Sequence, residues 1–357
     1  MSCNFGNKIK ITVFGQSHSE AIGVVIDGLP AGFELDFKKI SAFTARRAPG
    51  QNDLSTPRKE ADEVKIISGM VSGKTCGAPL CAVIENTNTR SGDYDKLRTL
   101  PRPSHSDYAA YVKHSGFNDI RGGGNFSGRL TAPLCFAGAV CIQMLESKGI
   151  HIGAHIASIG NIDDDRFDPV CVDKTDFNEI SQKSFPVIDD KRGELMRKEI
   201  YAVKSVGDSI GGTIECAITG VEAGIGEPIF DGIENRLSQA VFGIPAVKGI
   251  EFGSGFDGSK LTGSQNNDSF ICVNKKIKTA TNNHGGILGG ISSGMPIIFR
   301  CAIKPTPSIG IRQQTVNLES GDEEELVIGG RHDPCIVPRA VPCVEAAAAV
   351  VMADFLL

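Results

Sequence analysis

The sequence predicts an α+β protein with mostly antiparallel strands, and three observations carry that reading. Strand-like runs rich in β-branched residues, ended by Gly, Asn or Asp, recur at residues 9–14, 23–26, 64–68, 80–85, 150–159, 213–219, 249–252 and 297–303. Helical periodicity interrupts them without the regular strand–helix alternation of a doubly wound sheet. No Gly-x-Gly-x-x-Gly follows a strand, which disfavours a Rossmann-type dinucleotide-binding half.

Each helix has its own signal. Asp36 caps the first, whose apolar positions Phe37, Ile40 and Phe43 share a face and whose end carries Arg46 and Arg47 before Pro49 and Gly50 stop it. Ser127 precedes the second, a small-residue-rich helix through Leu134, Ala137, Cys141 and Met144 to Leu145. Asp231 starts the third, with Ile233, Leu237, Ala240 and Val241 on one side. The fourth runs from about Pro342 to the end and is Ala-rich, as a close-packed buried helix requires. With 41% hydrophobic content, no repeat at solenoid spacing and no Pro/Ser-rich linker, residues 1–357 are expected to form one domain.

Lys and Arg number 37 against 42 Asp and Glu, so the net charge of -5 gives no global attraction to nucleic acid or anionic lipid. Any anionic ligand must be met by a local cluster. Eleven cysteines, odd in number and never spaced Cys-x-x-Cys, read as reduced core residues of a cytoplasmic protein. The N-terminus lacks the apolar stretch of a secretory signal, and no segment approaches the ~20 apolar residues of a membrane helix. A cytoplasmic protein without a membrane partner is expected.

Chemistry concentrates in loops. His18 lies in Gly15-Gln16-Ser17-His18-Ser19-Glu20 and His105 in Arg102-Pro103-Ser104-His105-Ser106-Asp107, polar settings that suit proton transfer near neutrality. The alternative for each is a hydrogen-bonded structural histidine. Asp333, between His332 and Pro334 and beside Arg331, is either a general base or a turn-capping carboxylate. Arg121-Gly122-Gly123-Gly124-Asn125-Phe126-Ser127-Gly128-Arg129 reads as an anion cradle, its glycines turning backbone N–H groups toward a ligand and its arginines supplying charge; a plain tight turn is the other reading. Arg46, Arg47, Arg58 and Lys59 gather cations in an otherwise acidic chain. Residues 282–294 are rich in glycine, and Lys304-Pro305-Thr306-Pro307-Ser308 forms a stiff turn; together they could line a pocket for an aromatic cofactor with a phosphate tail. His151 and His155 have a helical metal-ligand spacing, but the isoleucines around them favour a strand, and no metal is assigned. Asp163, Asp164 and Asp165 read as a solvated turn.

These motifs, in this order, resemble the chorismate synthase family over nearly the whole chain: Gly15-Gln16-Ser17-His18 with Asp27-Gly28-Leu29-Pro30, Arg121-Gly122-Gly123-Gly124, residues 207–212, Pro245-Ala246-Val247-Lys248-Gly249, and Arg331-His332-Asp333-Pro334-Cys335. The resemblance implies a β-α-β sandwich with helices packed between antiparallel sheets, assembled as a homotetramer. It implies an anti-1,4-elimination of phosphate and a C6 proton from 5-enolpyruvylshikimate 3-phosphate, giving chorismate, with reduced FMN required and no net redox change.

By the same resemblance His18 protonates the departing phosphate, His105 delivers a proton toward the flavin, and Asp333 lies near flavin N5. Flavin contacts fall on Asn125, Phe126, Ser127, Pro245, Ala246, Gly289, Lys304, Pro305, Thr306, Pro307, Ser308 and Arg331, and substrate or NADP contacts on Arg46, Arg47, Arg121 and Arg129. An external flavin reductase is the expected partner, with NADPH the other reductant to consider. The chain departs from the family pattern at Gln16, Ala48, Asp53, Asn125 and Phe126, which thins the positive charge around the site. Two rival readings are a flavin oxidoreductase using the same glycine-rich loops and a non-catalytic binding module for phosphorylated metabolites; phosphate release without stoichiometric flavin oxidation separates the first, and ligand binding without turnover marks the second.

Overall fold

The computed structural model describes residues 3–50, 62–87, 96–329 and 333–357. Two five-stranded antiparallel sheets frame the molecule. The first has the order Asn4–Phe5, Lys10–Gly15, Ala21–Asp27, Leu80–Glu85, Val64–Ser68. In the second the order is Val247–Phe252, Ile297–Ile303, Gly212–Thr219, His151–Ile159, Ile162–Asp163. The predicted strands all appear, and the register Ile218↔Ile297 and Cys216↔Phe299 stacks apolar pairs down the second sheet.

Helices fill the space between the sheets, as an α+β sandwich requires. Thr131–Glu146 packs on the first sheet, Val337–Leu356 on the second, and the two helices pack on each other. Their approach is set by Gly138: a Cβ placed there would lie 2.3 Å from that of Ala346. Only a hydrogen side chain lets the backbones meet, which explains the run of small residues on both helices. One apolar cluster runs from Val24, Ile26 and Leu80 through Phe136 and Val140 to Ala347, Val351, Ile156 and Phe299, so both sheets share a core. On the outer face of the second sheet, Lys174–Ser181 lays Phe177 against Gly153, so strand His151–Ile159 is covered on both sides.

Several local expectations change. Asp36 does cap Phe37–Arg47, accepting from the amides of Lys38 and Lys39. The buried stripe of that helix, however, is Ile40, Thr44 and Arg47, while Phe37 is exposed. The last helix starts at Val337 and carries Pro342 inside it; burial of nearly every residue outweighs the roughly 3 kcal/mol that an interior proline costs. Gly232, rather than Asp231, occupies the cap position of Ile233–Phe242.

Gly128–Glu146 is long and apolar enough to cross a membrane, contrary to expectation, but 72% of it is buried inside the fold. All eleven cysteines are free, yet Cys3, Cys76, Cys171 and Cys272 are exposed, so the core reading holds only for Cys135, Cys141, Cys216, Cys301, Cys335 and Cys343. His155 sits on a strand as predicted. Asp164 is not solvated: it is buried, contacts His155 Nδ1 at 3.1 Å, and accepts from the amides of Ile188 and Asp189. A polar pair inside the core gave that aspartate a partner no turn signal reveals.

Candidate active site

The glycine triplet is the hub of the site. Gly122, Gly123 and Gly124 have φ of +60°, +85° and +55°, so the loop coils left-handed where other residues would be strained. Gly122 and Gly124 are also forced by a neighbour, whereas Gly123 sits in ordinary contact with one. A Cβ on Gly122 would lie 2.4 Å from Ser17 Oγ and 2.9 Å from His18 Nε2; on Gly123, 3.4 Å from His105 Nε2; on Gly124, 2.2 Å from the Asp119 carbonyl oxygen. His18 and His105, remote in sequence, therefore pack on adjacent residues of one loop, whose Cα atoms are only about 3.8 Å apart.

Backbone bonds lock this arrangement. The Ser17 amide donates to Gly124 O at 3.0 Å. Asn86 Nδ2 donates to Gln16 O and Ser19 O, holding the His18 turn from the neighbouring strand end. His18 is buried, and Gly15, with φ of +100°, makes the turn out of strand Lys10–Gly15.

His105 is oriented by a carboxylate. Its Nδ1 lies 2.5 Å from Asp107 Oδ1 and 3.1 Å from Arg102 Nη2. A guanidinium only donates, so Nδ1 cannot both accept from Arg102 and donate to Asp107; the shorter contact decides that Nδ1 carries the proton. Nε2 is then the nitrogen facing Gly123. Asp107 is itself clamped by Arg102 Nε at 2.7 Å, Arg102 Nη2 at 2.9 Å and the Arg102 amide at 3.0 Å. Burial opposes ionisation there, yet the hydrogen bonds from Arg102 and His105 hold the carboxyl well below the usual carboxylate range.

The second sheet supplies the other wall. Lys304 Nζ donates to Ser104 O, Arg102 Nη1 to Ser308 Oγ at 3.1 Å, and the Lys304 amide to Ala246 O at 2.9 Å. Pro245 precedes Ala246, whose φ is +74°, and Ser209 Oγ donates to Thr306 O at 2.7 Å. Residues 304–308, which include Pro305 and Pro307, thus run beside the His105 loop. Burial, and then the nearby Lys248, push the Lys304 ammonium below its ordinary value. Among the described residues, buried Thr306 Oγ1, Asn118 Oδ1 and His114 Nε2 have no hydrogen-bond partner, and the His114 ring lies 6.5 Å from that of Phe126. An unmet Thr306 hydroxyl and two neighbouring lysines beside the His105 loop fit a ligand with an anionic tail.

The remaining predicted residues divide. Arg121 is exposed and paired with Asp119 at 2.8 and 2.9 Å. Arg46 is bound bidentately by buried Glu345 at 2.6 and 2.9 Å. Arg47 donates to Thr131 Oγ1, Asp62 Oδ2 and Gly128 O, and Arg129 pairs with Asp62 and with Asn86 Oδ1. These three arginines are committed to internal partners and stand behind the glycine loop. Ser127 caps the turn that begins at Gly128, accepting from the Arg129 amide.

Asp333 pairs with Arg339 Nη1 at 2.5 Å, and Arg339 Nε donates to Arg47 O at 3.1 Å, so the carboxylate is tied to the arginine layer under the loop. Arg331 and His332, like Asp53, Arg58 and Lys59, lie outside the described residues. Gly289 turns the Ile287–Leu288/Ile291–Ser292 hairpin, which the adjoining Gly290 packs against Glu227 and Gly232; no described contact joins it to the histidines. Asp62, Arg102, Asp107, Arg339 and Glu345 were not assigned roles from sequence. Arg102 and Asp107 had a signal, flanking His105 in one polar segment; Asp62 and Glu345 meet their arginine partners only through the fold. Two concavities, of about 270 and 370 Å³, lie elsewhere, lined by residues such as Phe167 and Ile180, and Phe5 and Val25.

Two imidazoles packed on a glycine loop, beside a lysine and unmet polar atoms, suit a class of protein that moves protons on an anionic ligand. The comparisons narrow that class. A family model described as chorismate synthase matches residues 9–357. The chorismate synthase of Lancefieldella parvula is 44% identical over 367 aligned positions, covering 100% of this chain and 96% of that protein. That of Thermococcus gammatolerans is 44% identical over 353 positions, covering 99% and 97%. A solved structure titled "Crystal Structure of Chorismate Synthase" superposes with a TM-score of 0.77 at 28% identity, covering 99% of this chain and 92% of that one. The chain belongs to the chorismate synthase family, and is accordingly a carbon–oxygen lyase.

Proposed function

We propose that the protein releases phosphate and the C6 proton of 5-enolpyruvylshikimate 3-phosphate in an anti-1,4-elimination that yields chorismate, the last common step of aromatic amino acid biosynthesis. The observation that carries this reading is the packing of His18 and His105 on Gly122 and Gly123. An elimination of an anionic leaving group needs a proton donor at the leaving oxygen and a second proton-carrying group nearby, and imidazole is suited to both near neutrality.

The residues fit reduced FMN. Phe126, Ala246, Thr306 and Ser308 would line the ring system or its polar edge, with Pro245, Pro305, Pro307, Asn125 and Ser127 shaping the wall, and Lys304 would meet the phosphate. Reduced FMN supplies a transient electron to the reaction without net oxidation. His18 holds a proton for the departing phosphate. His105, kept in one tautomer by Asp107, handles a proton at Nε2. Asp333, paired with Arg339, accepts or passes on a proton at its carboxylate. Arg121, solvent-exposed though paired with Asp119, would exchange that carboxylate for a substrate anion, while Arg47 and Arg129 share the single carboxylate of Asp62 and keep a net positive charge. We further assign residues 1–357 to one domain, acting in the cytoplasm as a homotetramer with flavin reduced by an external reductase.

An anaerobic assay with catalytic reduced FMN, run with and without NADPH, tests this. Phosphate and chorismate should appear in equal amounts while the flavin stays reduced. His18→Ala and Asp333→Asn should each lower turnover ~10²-fold or more with the fold intact. Stoichiometric flavin oxidation, or turnover unchanged in both variants, would remove the reading.

A further inference from the structure

Outside this site, one cluster has the connectivity of an activated nucleophile. His284, in the glycine-rich stretch 282–294, contacts Asp268 Oδ2 through Nδ1 and Ser293 Oγ through Nε2, the latter at 2.8 Å. Asp268 also accepts from the amides of Asn283 at 2.8 Å and His284 at 2.9 Å and from Thr281 Oγ1 at 2.5 Å. Burial opposes its ionisation, but the bonds from Thr281 and His284 outweigh it and hold the carboxyl below its ordinary range. Asp268 is thus an acceptor only, and the proton on the imidazole is fixed at Nδ1. Nε2 is left with a lone pair pointing at the Ser293 hydroxyl.

Carboxylate, imidazole and hydroxyl in sequence, with the middle group oriented by the first, is the arrangement that raises a serine's nucleophilicity on unrelated folds. The side chains of Asp268 and His284 are only 6% and 8% exposed, so water does not compete well for the inner bonds, while Ser293 is half-buried and reachable. Of these three side chains only Ser293 carries a hydroxyl, the group that such a base would activate.

We propose that Ser293 is a base-activated nucleophile that accepts a phosphonyl group from small organophosphorus fluorides. In the step, Ser293 Oγ forms a bond to phosphorus, the P–F bond breaks, fluoride leaves, and the hydroxyl proton passes to His284 Nε2 and then to water.

The test treats the full-length protein with an alkyl fluorophosphonate and follows it by intact mass and peptide mapping. Wild type should gain one adduct, on Ser293, and Ser293→Ala should gain none there. His284→Ala and Asp268→Asn should label at least ~10-fold more slowly, since a positioned base contributes on that order or more. No adduct on wild-type Ser293, or an adduct formed as fast on other serines, overturns the proposal without reference to any variant. Equal labelling of His284→Ala, with a melting transition showing it folded, overturns it as well.

Discussion

Replacing Gly122 by alanine separates backbone strain from displacement of the His18 turn. At φ of +60° an alanine pays the left-handed penalty of about 1–2 kcal/mol. The new Cβ would also stand 2.4 Å from Ser17 Oγ and 2.9 Å from His18 Cδ2 and Nε2. Restoring van der Waals separation requires the serine to retreat by about 1 Å and the imidazole by somewhat less. A misplacement of that size at a reacting group costs about 10²-fold in rate. Gly149 provides the control, because it has φ of +77° and nothing within 4 Å of its added Cβ. Gly149→Ala should lose similar stability in urea denaturation and keep its turnover. Gly122→Ala should lose at least that much stability, the clash adding to the backbone penalty, and about 10²-fold in phosphate release from 5-enolpyruvylshikimate 3-phosphate. Equal turnover of the two variants would refute the claim that the glycine loop holds His18 in its working position.

Further outcomes follow from the same contacts. Asp107→Asn removes the carboxylate that fixes the His105 tautomer, so turnover should fall ~10-fold or more, and nitrogen NMR of the imidazole should show Nδ1 losing its preference for the proton; an unchanged tautomer would refute the orientation. Glu345→Gln leaves the Arg46 guanidinium without its buried partner and should cost about 3 kcal/mol, read as a lower urea midpoint. The His155 imidazolium is penalised by burial, but Asp164 and Glu215 outweigh that and raise its folded-state value. Its stabilisation is therefore complete below about pH 6.5 and is lost as pH rises through the folded-state value. Denaturation midpoints should drop on the alkaline side, less so in His155→Gln; a rise there would contradict the assignment.

Much of the sandwich was legible before any coordinates. Runs of β-branched residues ended by Gly, Asn or Asp located the main strands of both sheets, though not the edge strands Asn4–Phe5 and Ile162–Asp163, and Asp36 and the small-residue stretches located helices, because these signals are local. The edges failed where packing outranked them: Pro342 lies inside a helix that burial sustains, and Arg47 replaces the aromatic stripe because Asp62 and Thr131 meet it inside. The charged residues were harder still. Arg46, Arg47 and Arg129 read as a ligand-facing supply, and nothing in their own segments announces Glu345 or Asp62, the latter 67 residues from Arg129.

The sequence by itself singled out the candidate residues: the His18 and His105 loops, the glycine triplet, Asp333 and the 304–308 turn. Only the tertiary structure decided that both imidazoles rest on Gly122 and Gly123, which nitrogen of His105 faces inward, and which arginines are already bound. The physical reason is that propensity and periodicity act over a few residues, whereas orientation, tautomer and ion pairing depend on atoms brought together by chain closure across a shared core.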